Sequence, residues 1–499
     1  MQRRWLIAHS RDNVAIALEA LDAGDILDGV TLLAPVPAGH KFAIQAIAQG
    51  APVFKLGHAI GVASREIAAG EHVHVDNLAF AGRVDRNAVG TDIVLPAPRQ
   101  ASFDGFVRPD GRVGTRNHIA ILTSVNCSAT VAKRIAAHFT PERLAAYPNV
   151  DGVIAFSHMS GCGMAKTGRG IDNLRRTISG YAAHPNFAAT LIVGLGCEVN
   201  QIDPLLDSAG LAEGARLRQL SIQDAGGTIA AIAAGTAIVE AMLPIANLCT
   251  RQPVSAQHLT IGLQCGASDG YSALTANPAL GAATDLLIGA GGRAILSETP
   301  EIFGAEDLLL RRAASPQVAQ SLIDRLGWWE EYAARDGASL DNNPSPGNKA
   351  GGITTILEKS LGAVAKAGTS PLNAVVDYAG AVDGPGLTFM DTPGYDPCSA
   401  TGQIAGGANL ILFTTGRGSV FGSGPVPTIK LASNAVLAMA MADDIDVDCS
   451  AVLNGVSLQQ MGEQLFDYLL ATASGRQTAS EALGLGENEW VPWVPGAMF

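Results

Sequence analysis

Four cysteines sit where a chain of alternating strands and helices most easily assembles chemistry. Cys127, Cys162, Cys197 and Cys265 each follow an apolar run, in ILTSVNCSA, IAFSHMSGCGM, IVGLGCEVN and IGLQCGASDG, and open α/β sheets bind ligands at the carboxyl ends of their strands. Each thiol lies in a turn rich in glycine, serine or asparagine, where backbone N–H groups can approach a thiolate. No two cysteines form CxxC, so a zinc ribbon or a thioredoxin-like pair has no support. Thiolates suit an iron–sulfur cluster, whereas imidazoles and carboxylates suit mononuclear Fe(II) or Mn(II) with an open position. Spacing alone leaves both open.

Of ten histidines, His40, His58, His72 and His74 fall between residues 10 and 80. A strand through EHVHV sets His72 and His74 on one face, and with His40 of PAGHKFA they are candidates for metal binding or acid–base work. Lys41 is a candidate to neutralise a substrate carboxylate during catalysis. Glu298 ends the run AILSE, followed by Glu301 and Glu306, and Asp391 follows LTFM with Asp396 beyond it; Glu298 is the candidate base at the strand ends. Carboxylate binding is expected from Arg108 and Arg116, which with Arg112 punctuate FVRPDGRVGTRNH, because a guanidinium fork matches a carboxylate. Arg417 in TTGRGSVFGSGP joins them with its loop amides, as does Lys349, and His158 and Asp269 are further candidates for binding the substrate. That glycine-rich loop has neither GxxxxGK[ST] nor GxGxxG, which weighs against nucleotide binding.

The elements that must carry these groups follow from periodicity. Residues 10–80 are dense in turns and read as a small β-rich domain whose one helix-like stretch is NVAIALEAL. Residues 81–104 read as a linker. Beyond it the apolar runs HIAILTSV, GVIAFS, ATLIVGLG, LTIGLQ, RAILSE, NAVVDYA and NLILFTT alternate with helical stretches, the rhythm of parallel α/β units. Residues 223–254 read as one helix running into a proline-containing connection, which divides two α/β domains, 105–252 and 253–499. DNNPSPGNKAGGITTILEKSLGA is an irregular loop ahead of an amphipathic helix, able to present N–H groups to an anion.

A chain of 499 residues exceeds one growing core, so two or three domains are expected. Its 33 basic and 46 acidic residues leave a charge of -13, which opposes adsorption to nucleic acid or anionic membrane, so an acidic substrate needs a local basic pocket. No run of about 18 apolar residues reads as a membrane span, and the first residues do not read as a secretion signal. Cytoplasmic residence with reduced thiols is the expectation.

The blocks DNVAIAL, PAGHKFA, GEHVHVDN, FVRPDGRVGTRNH, NCSATV, GCGMAKTG, GLGCEVNQ, QCGASDGYSALTANPALG, AILSETPEIFGAE, NNPSPGNKAGGITTILEKSLG, FMDTPGYDP and FTTGRGSVFGSGP, in this order, resemble the altronate/galactarate dehydratase family. The resemblance implies an N-terminal SAF-type β-clip domain before the α/β portion. It also implies dehydration of an aldonate or aldarate to a 2-keto-3-deoxy acid with Fe(II), or with Mn(II) in its place, in a homo-oligomer, expected to be a dimer. Related lyases acting on sulfolactate divide these parts between subunits, so a C–S lyase on a sulfonated hydroxy acid is the rival enzyme. A sugar-acid sensor without turnover is the rival outside catalysis, although no helix-turn-helix segment is evident. Two positions depart from the pattern: Ala267 stands where glycine is expected, and Cys398 where an aliphatic residue is expected, with a pocket wall as its suspected location.

Overall fold

The computed structural model describes residues 4–81 and 86–498. The N-terminal part is all β. Trp5–Leu6, Val14–Ala17, Lys41–Ala43 and His72–Val73 form one antiparallel sheet, and Pro52–Lys55, His58–Ala63 and Leu78–Ala79 another. The expected helix in NVAIALEAL is instead the strand Val14–Ala17. Its four residues are all buried and paired on both sides, because the sheet supplies hydrogen bonds and cover that a short apolar stretch has no means to gain as an isolated helix turn.

From Arg86 the chain crosses the C-terminal part without regular structure, hydrogen-bonding through Gly90, Asp92 and Arg99 to Leu310, Arg311 and Gly289; residues 82–85 of the expected linker lie outside the described residues. Ser102–Val107 is already a strand. It pairs with Arg251–Ser255, so entry to and exit from the middle domain are stitched side by side. The helix expected over 223–254 is shorter, Thr228–Asn247, and Pro253 sits in the returning strand.

Two parallel sheets follow. The middle domain has four strands in the order Gly152–Phe156, His118–Thr123, Phe187–Gly194, Leu217–Ser221. The C-terminal domain has seven, Leu372–Val376, Gly386–Met390, Arg293–Leu296, Thr260–Gly266, Leu410–Thr415, Thr428–Ala432 and Val447–Asp448. Most of these strands are buried along their length because helices cover both faces. In each sheet the chain leaves the earliest strand in one direction and later crosses to its other side, which creates a switch point beyond Thr123 and another beyond Gly266.

The N-terminal domain has no separate core on this side. Val14, Val53 and Ile60 share one apolar cluster with Leu280, Ala283 and Leu361 of the C-terminal domain. Helix Thr228–Asn247 is long and apolar enough, by length and composition, to cross a membrane. It packs one face on the middle sheet and on Ile135, yet only 33% of its most apolar window is buried, which leaves an apolar outer face.

Candidate active site at the seam of two domains

The register of the N-terminal sheet assembles three histidines. Lys41 pairs with Val73 and Phe42 with His72, so one step further sets His40 opposite His74, with His72 diagonal to His40 on the same face. The ring centroids stand 5.1, 5.1 and 5.4 Å apart, and His40 Nδ1 lies 3.0 Å from His72 Nε2. Residues 349–352 of the C-terminal domain close the other side. His74 Nε2 is 2.9 Å from the Lys349 carbonyl and His40 Nε2 is 3.2 Å from that of Ala350. Carbonyls accept only, so both rings carry their proton on Nε2 and turn an Nδ1 lone pair inward.

The seam is tight because two glycines permit it. A β-carbon at Gly352 would come within 2.5 Å of the Gly39 carbonyl oxygen, and Gly270 touches the same atom more closely still. Behind the histidines, Lys41 and Lys55 reach Glu358 at 2.9 and 2.8 Å, all three side chains being essentially sealed from solvent. Lys41 also donates to the Gly352 carbonyl. Strand alternation points it away from its neighbour His40, and burial pushes its pKa down to about 8 against the pull of Glu358. Lys41 is therefore a buried lock between domains, which corrects its expected place in catalysis. Burial would raise the Glu358 pKa, but Lys41, Lys55 and the Thr354 hydrogen bonds override it and hold the carboxyl well below the usual carboxylate range.

Burial first, then the other two imidazoles, push His72 down to about 4, and burial lowers His40 as well. These rings are neutral near pH 7 and competent as ligands or bases. The unfolded chain takes up protons below about 6.5 while folded His72 resists to about 4, so stability is full above about pH 6.5 and falls toward pH 4. Calorimetric melting is expected to show this decline, with a shallower one in His72→Gln; an equal slope in both proteins would contradict it.

Arg417 and Lys349 meet this cluster. The Arg417 side chain lies over Gly351, its Cδ 3.4 Å from where a β-carbon there would stand. Among the described residues neither its guanidinium nor the Lys349 ammonium has a hydrogen-bond or ion-pair partner. Arg417 is positioned through the Ala267 carbonyl, which accepts from the Gly416 and Arg417 N–H groups. Ala267 has φ 50°, the left-handed conformation that glycine adopts without strain. Asp269 lies underneath: its Oδ1 accepts from Tyr271, Ser272 and Ser433, its Oδ2 from Asn434. It braces the loops and is no free substrate ligand.

The other expected residues are elsewhere. Arg116 spends all its donors on Glu481 and on the Thr115, Thr472 and Arg476 carbonyls, and Arg108 donates to Pro185, Asn117 and Arg116. Both are buried at the opposite end of strand His118–Thr123 from the cysteine turns, so the expectation that they bind substrate is corrected. His158 is buried with both nitrogens used, by the Thr123 carbonyl and the Ser160 N–H, and burial lowers it to about 4; it shapes a turn. Cys398 is buried beside the Tyr378 hydroxyl, not in a pocket wall, and burial pushes its thiol up to about 12.

Cys265 and Glu298 do come together, but away from the imidazoles and with Glu301, their ligand atoms within 4.8 Å of one another. All are buried. Lys366 Nζ stands 3.0 Å from Cys265 Sγ and 3.4 Å from Glu298, and Lys359 pairs with Glu301 at 2.8 Å. Burial, then Glu301, push the Glu298 pKa well up, and burial pushes Cys265 up to about 11. Glu298 Oε1 and Glu301 Oε2 are buried without a partner. This thiol and two carboxylates could hold a metal ion, in a place where the Lys366 ammonium already reaches two of the three. Cys127, Cys162 and Cys197 share the carboxyl edge of the middle sheet and join neither site.

Lys55, Glu358, Lys359 and Lys366 escaped sequence reading. One signal for Glu358 was its phase: it falls one turn before Leu361 and Gly362 in ILEKSLGAVA, on a side with no other charge, where an acid needs a buried partner.

Three family models match in chain order: the Altronate/galactarate dehydratase SAF domain over residues 3–81, the D-galactarate dehydratase/Altronate hydrolase second domain over 105–247, and the D-galactarate/Altronate dehydratase C-terminal domain over 256–498. Such an enzyme is a carbon–oxygen lyase of the dehydratase class. Altronate dehydratase of Escherichia coli is 36% identical over 486 residues, covering 96% of this chain and 97% of that protein. Galactarate dehydratase (L-threo-forming) of the same species is 34% identical, covering 96% and 95%. The (2R)-sulfolactate sulfo-lyase subunit beta of Chromohalobacter salexigens is 33% identical, covering 77% of this chain and 95% of that one. The chain belongs to the altronate/galactarate dehydratase family.

Proposed function

We propose that this protein dehydrates a sugar acid, an aldonate such as altronate, to the 2-keto-3-deoxy acid at the seam formed by His40, His72, His74, Lys349 and Arg417. One observation carries the reading: three histidines, two of them pushed toward the neutral form, cluster against the 349–351 backbone, over which the Arg417 side chain lies with no hydrogen-bond or ion-pair partner for its guanidinium among the described residues.

His40 Nδ1 and His72 Nε2, 3.0 Å apart, are close to the spacing of two nitrogens on one small divalent ion with bonds of about 2.1 Å. The carbonyl behind His40 is the outer hydrogen bond that metal-ligating imidazoles usually make. We assign Fe(II) to this pair, with Mn(II) as a substitute; the ion when bound supplies Lewis-acid neutralisation of charge growing on the substrate carboxylate. The three histidines do not offer nitrogens all within 4.8 Å of one another, and we give His74 a different task. Its Nε2–H is fixed by the Lys349 carbonyl, so Nδ1 is available to take the proton from C2. Arg417 and Lys349 hold the carboxylate next to that carbon. With the C2 electrons forming the double bond, the C3 hydroxyl leaves with a proton as water, and the enol at C2 becomes the ketone by protonation at C3.

Arg417→Ala is expected to raise KM by about 10- to 100-fold, the worth of one charged hydrogen-bond pair, with a smaller effect on kcat; steady-state kinetics with unchanged KM would remove Arg417 from the site. The defining experiment is anaerobic Fe(II) loading followed by a panel of aldonates, aldarates and sulfolactate. A 2-keto-3-deoxy acid from an aldonate is expected; sulfite release would instead assign a C–S lyase, and binding without turnover a sensor.

We further propose a cytoplasmic homodimer closed through helix Thr228–Asn247. Ile229, Ala233, Ala237, Ala241 and Ile245 repeat every four residues along one face of this helix, a stripe that would be buried against its own two-fold copy; Ile229, Ile245 and the adjoining Leu248 are exposed. Ala237→Glu is expected to yield monomers in sedimentation velocity, whereas an unchanged dimer would rule this face out.

A further inference from the structure

Cys127, Cys162 and Cys197 occupy the switch point of the middle sheet, where the chain leaves His118–Thr123 for Gly152–Phe156 on one side and later crosses to Phe187–Gly194 on the other. All three thiols are exposed, whereas Cys265, Cys398 and Cys449 are buried. Cysteine is among the residues most often buried, so three exposed on adjacent turns call for a reason other than packing. The turns are tied together beside the thiols. Asn126 N–H donates to the Ser160 carbonyl, Asn200 N–H to that of Gly161, and the Asn200 side chain to that of Ser124. A β-carbon at Gly161 would lie 2.4 Å from the Ser124 carbonyl oxygen, so the Cys162 turn can rest on the Cys127 turn only with glycine there. Gly161 and Gly163 flank Cys162 and Gly196 precedes Cys197, all with positive φ.

The arrangement is wider than a single ion can bridge. The three sulfurs do not all lie within 4.8 Å of one another, whereas a single tetrahedral ion with metal–sulfur bonds of about 2.3 Å needs them about 3.8 Å apart. A polynuclear centre spans more, and its irons each take a separate cysteine thiolate. We propose that Cys127, Cys162 and Cys197 bind an iron–sulfur cluster, a site separate from the histidine pair of the preceding reading and independent of it. Three thiolates leave a four-iron cluster with one iron lacking a cysteine. Beside Cys162 a cavity of about 410 Å³ brings Arg169, Arg335, Trp328 and Tyr332 to the same place, so a small anion has access to the cluster's edge.

The test is anaerobic incubation of the full chain with ferric iron, sulfide and dithiothreitol, followed by desalting and assay of iron and acid-labile sulfide. About four sulfides per chain are expected with four irons beyond any held by the histidine pair; the sulfide is retained in His72→Gln and Cys249→Ser and lost in the triple variant Cys127→Ser/Cys162→Ser/Cys197→Ser. Alkylation mapped by mass spectrometry gives a second readout that needs no variant: these three thiols should react before loading and be protected after it. Absence of acid-labile sulfide from the loaded chain, equal sulfide in the triple variant, or undiminished alkylation after loading would each overturn the proposal.

Discussion

Replacing His74 with glutamine is expected to lower kcat by about 100- to 10,000-fold, the range for loss of a general base, while leaving the catalytic iron bound. His72→Gln is expected to do the reverse in order: iron is lost first, and activity with it. The distinction rests on geometry. His40 and His72 present nitrogens to each other, whereas His74 is turned by the Lys349 carbonyl and does not complete the trio. Metal content by plasma emission alongside kcat separates the two roles. Should His74→Gln also lose the ion, all three imidazoles are ligands and the base lies elsewhere. Because the cysteine turns are proposed to take iron as well, these measurements are best made without sulfide.

Glu358→Gln carries the largest expected effect on stability. Lys41 and Lys55 converge on this carboxylate with almost no solvent contact, and the neutral amide would leave two buried ammonium groups without a counter-charge. Breaking a buried pair of this kind costs about 3–5 kcal/mol. In the variant the folded state favours uncharged lysines while the unfolded chain keeps them protonated, so the loss should deepen as pH falls. Melting temperature followed from pH 9 to pH 6 checks both size and sign; a variant within about 1 kcal/mol of the parent at both ends would mean that water or another anion replaces the carboxylate. Since this cluster joins the N-terminal domain to helix Ile356–Ala365, activity should fall with stability.

Much of the fold was legible because strands buried on both faces are written as unbroken apolar runs. HIAILTSV, ATLIVGLG and NLILFTT all became strands of parallel sheets. NVAIALEAL misled because four apolar residues satisfy either period, and only the partner strands decide. The histidine grouping was legible in part: EHVHV fixed two rings on one face, but that His40 joins them depends on a strand register about thirty residues away. Arg108 and Arg116 misled for a different reason. A guanidinium suited to a carboxylate is equally suited to backbone carbonyls, and no spacing in FVRPDGRVGTRNH tells which acceptors are near. The four cysteines looked equivalent as strand-end residues, yet they belong to two different sheets, so one expected site became two. The Lys41–Glu358 lock spans more than three hundred residues, beyond the reach of any local pattern.

Proton NMR of the iron-loaded protein acting on altronate in deuterated water tests the chemistry assigned to the seam. Removal of the C2 proton, departure of the C3 hydroxyl and protonation of the enol at C3 together require a 2-keto-3-deoxy product with one deuterium at C3. A product with no solvent deuterium at that carbon, or altronate returned unchanged by fully loaded protein, would contradict it.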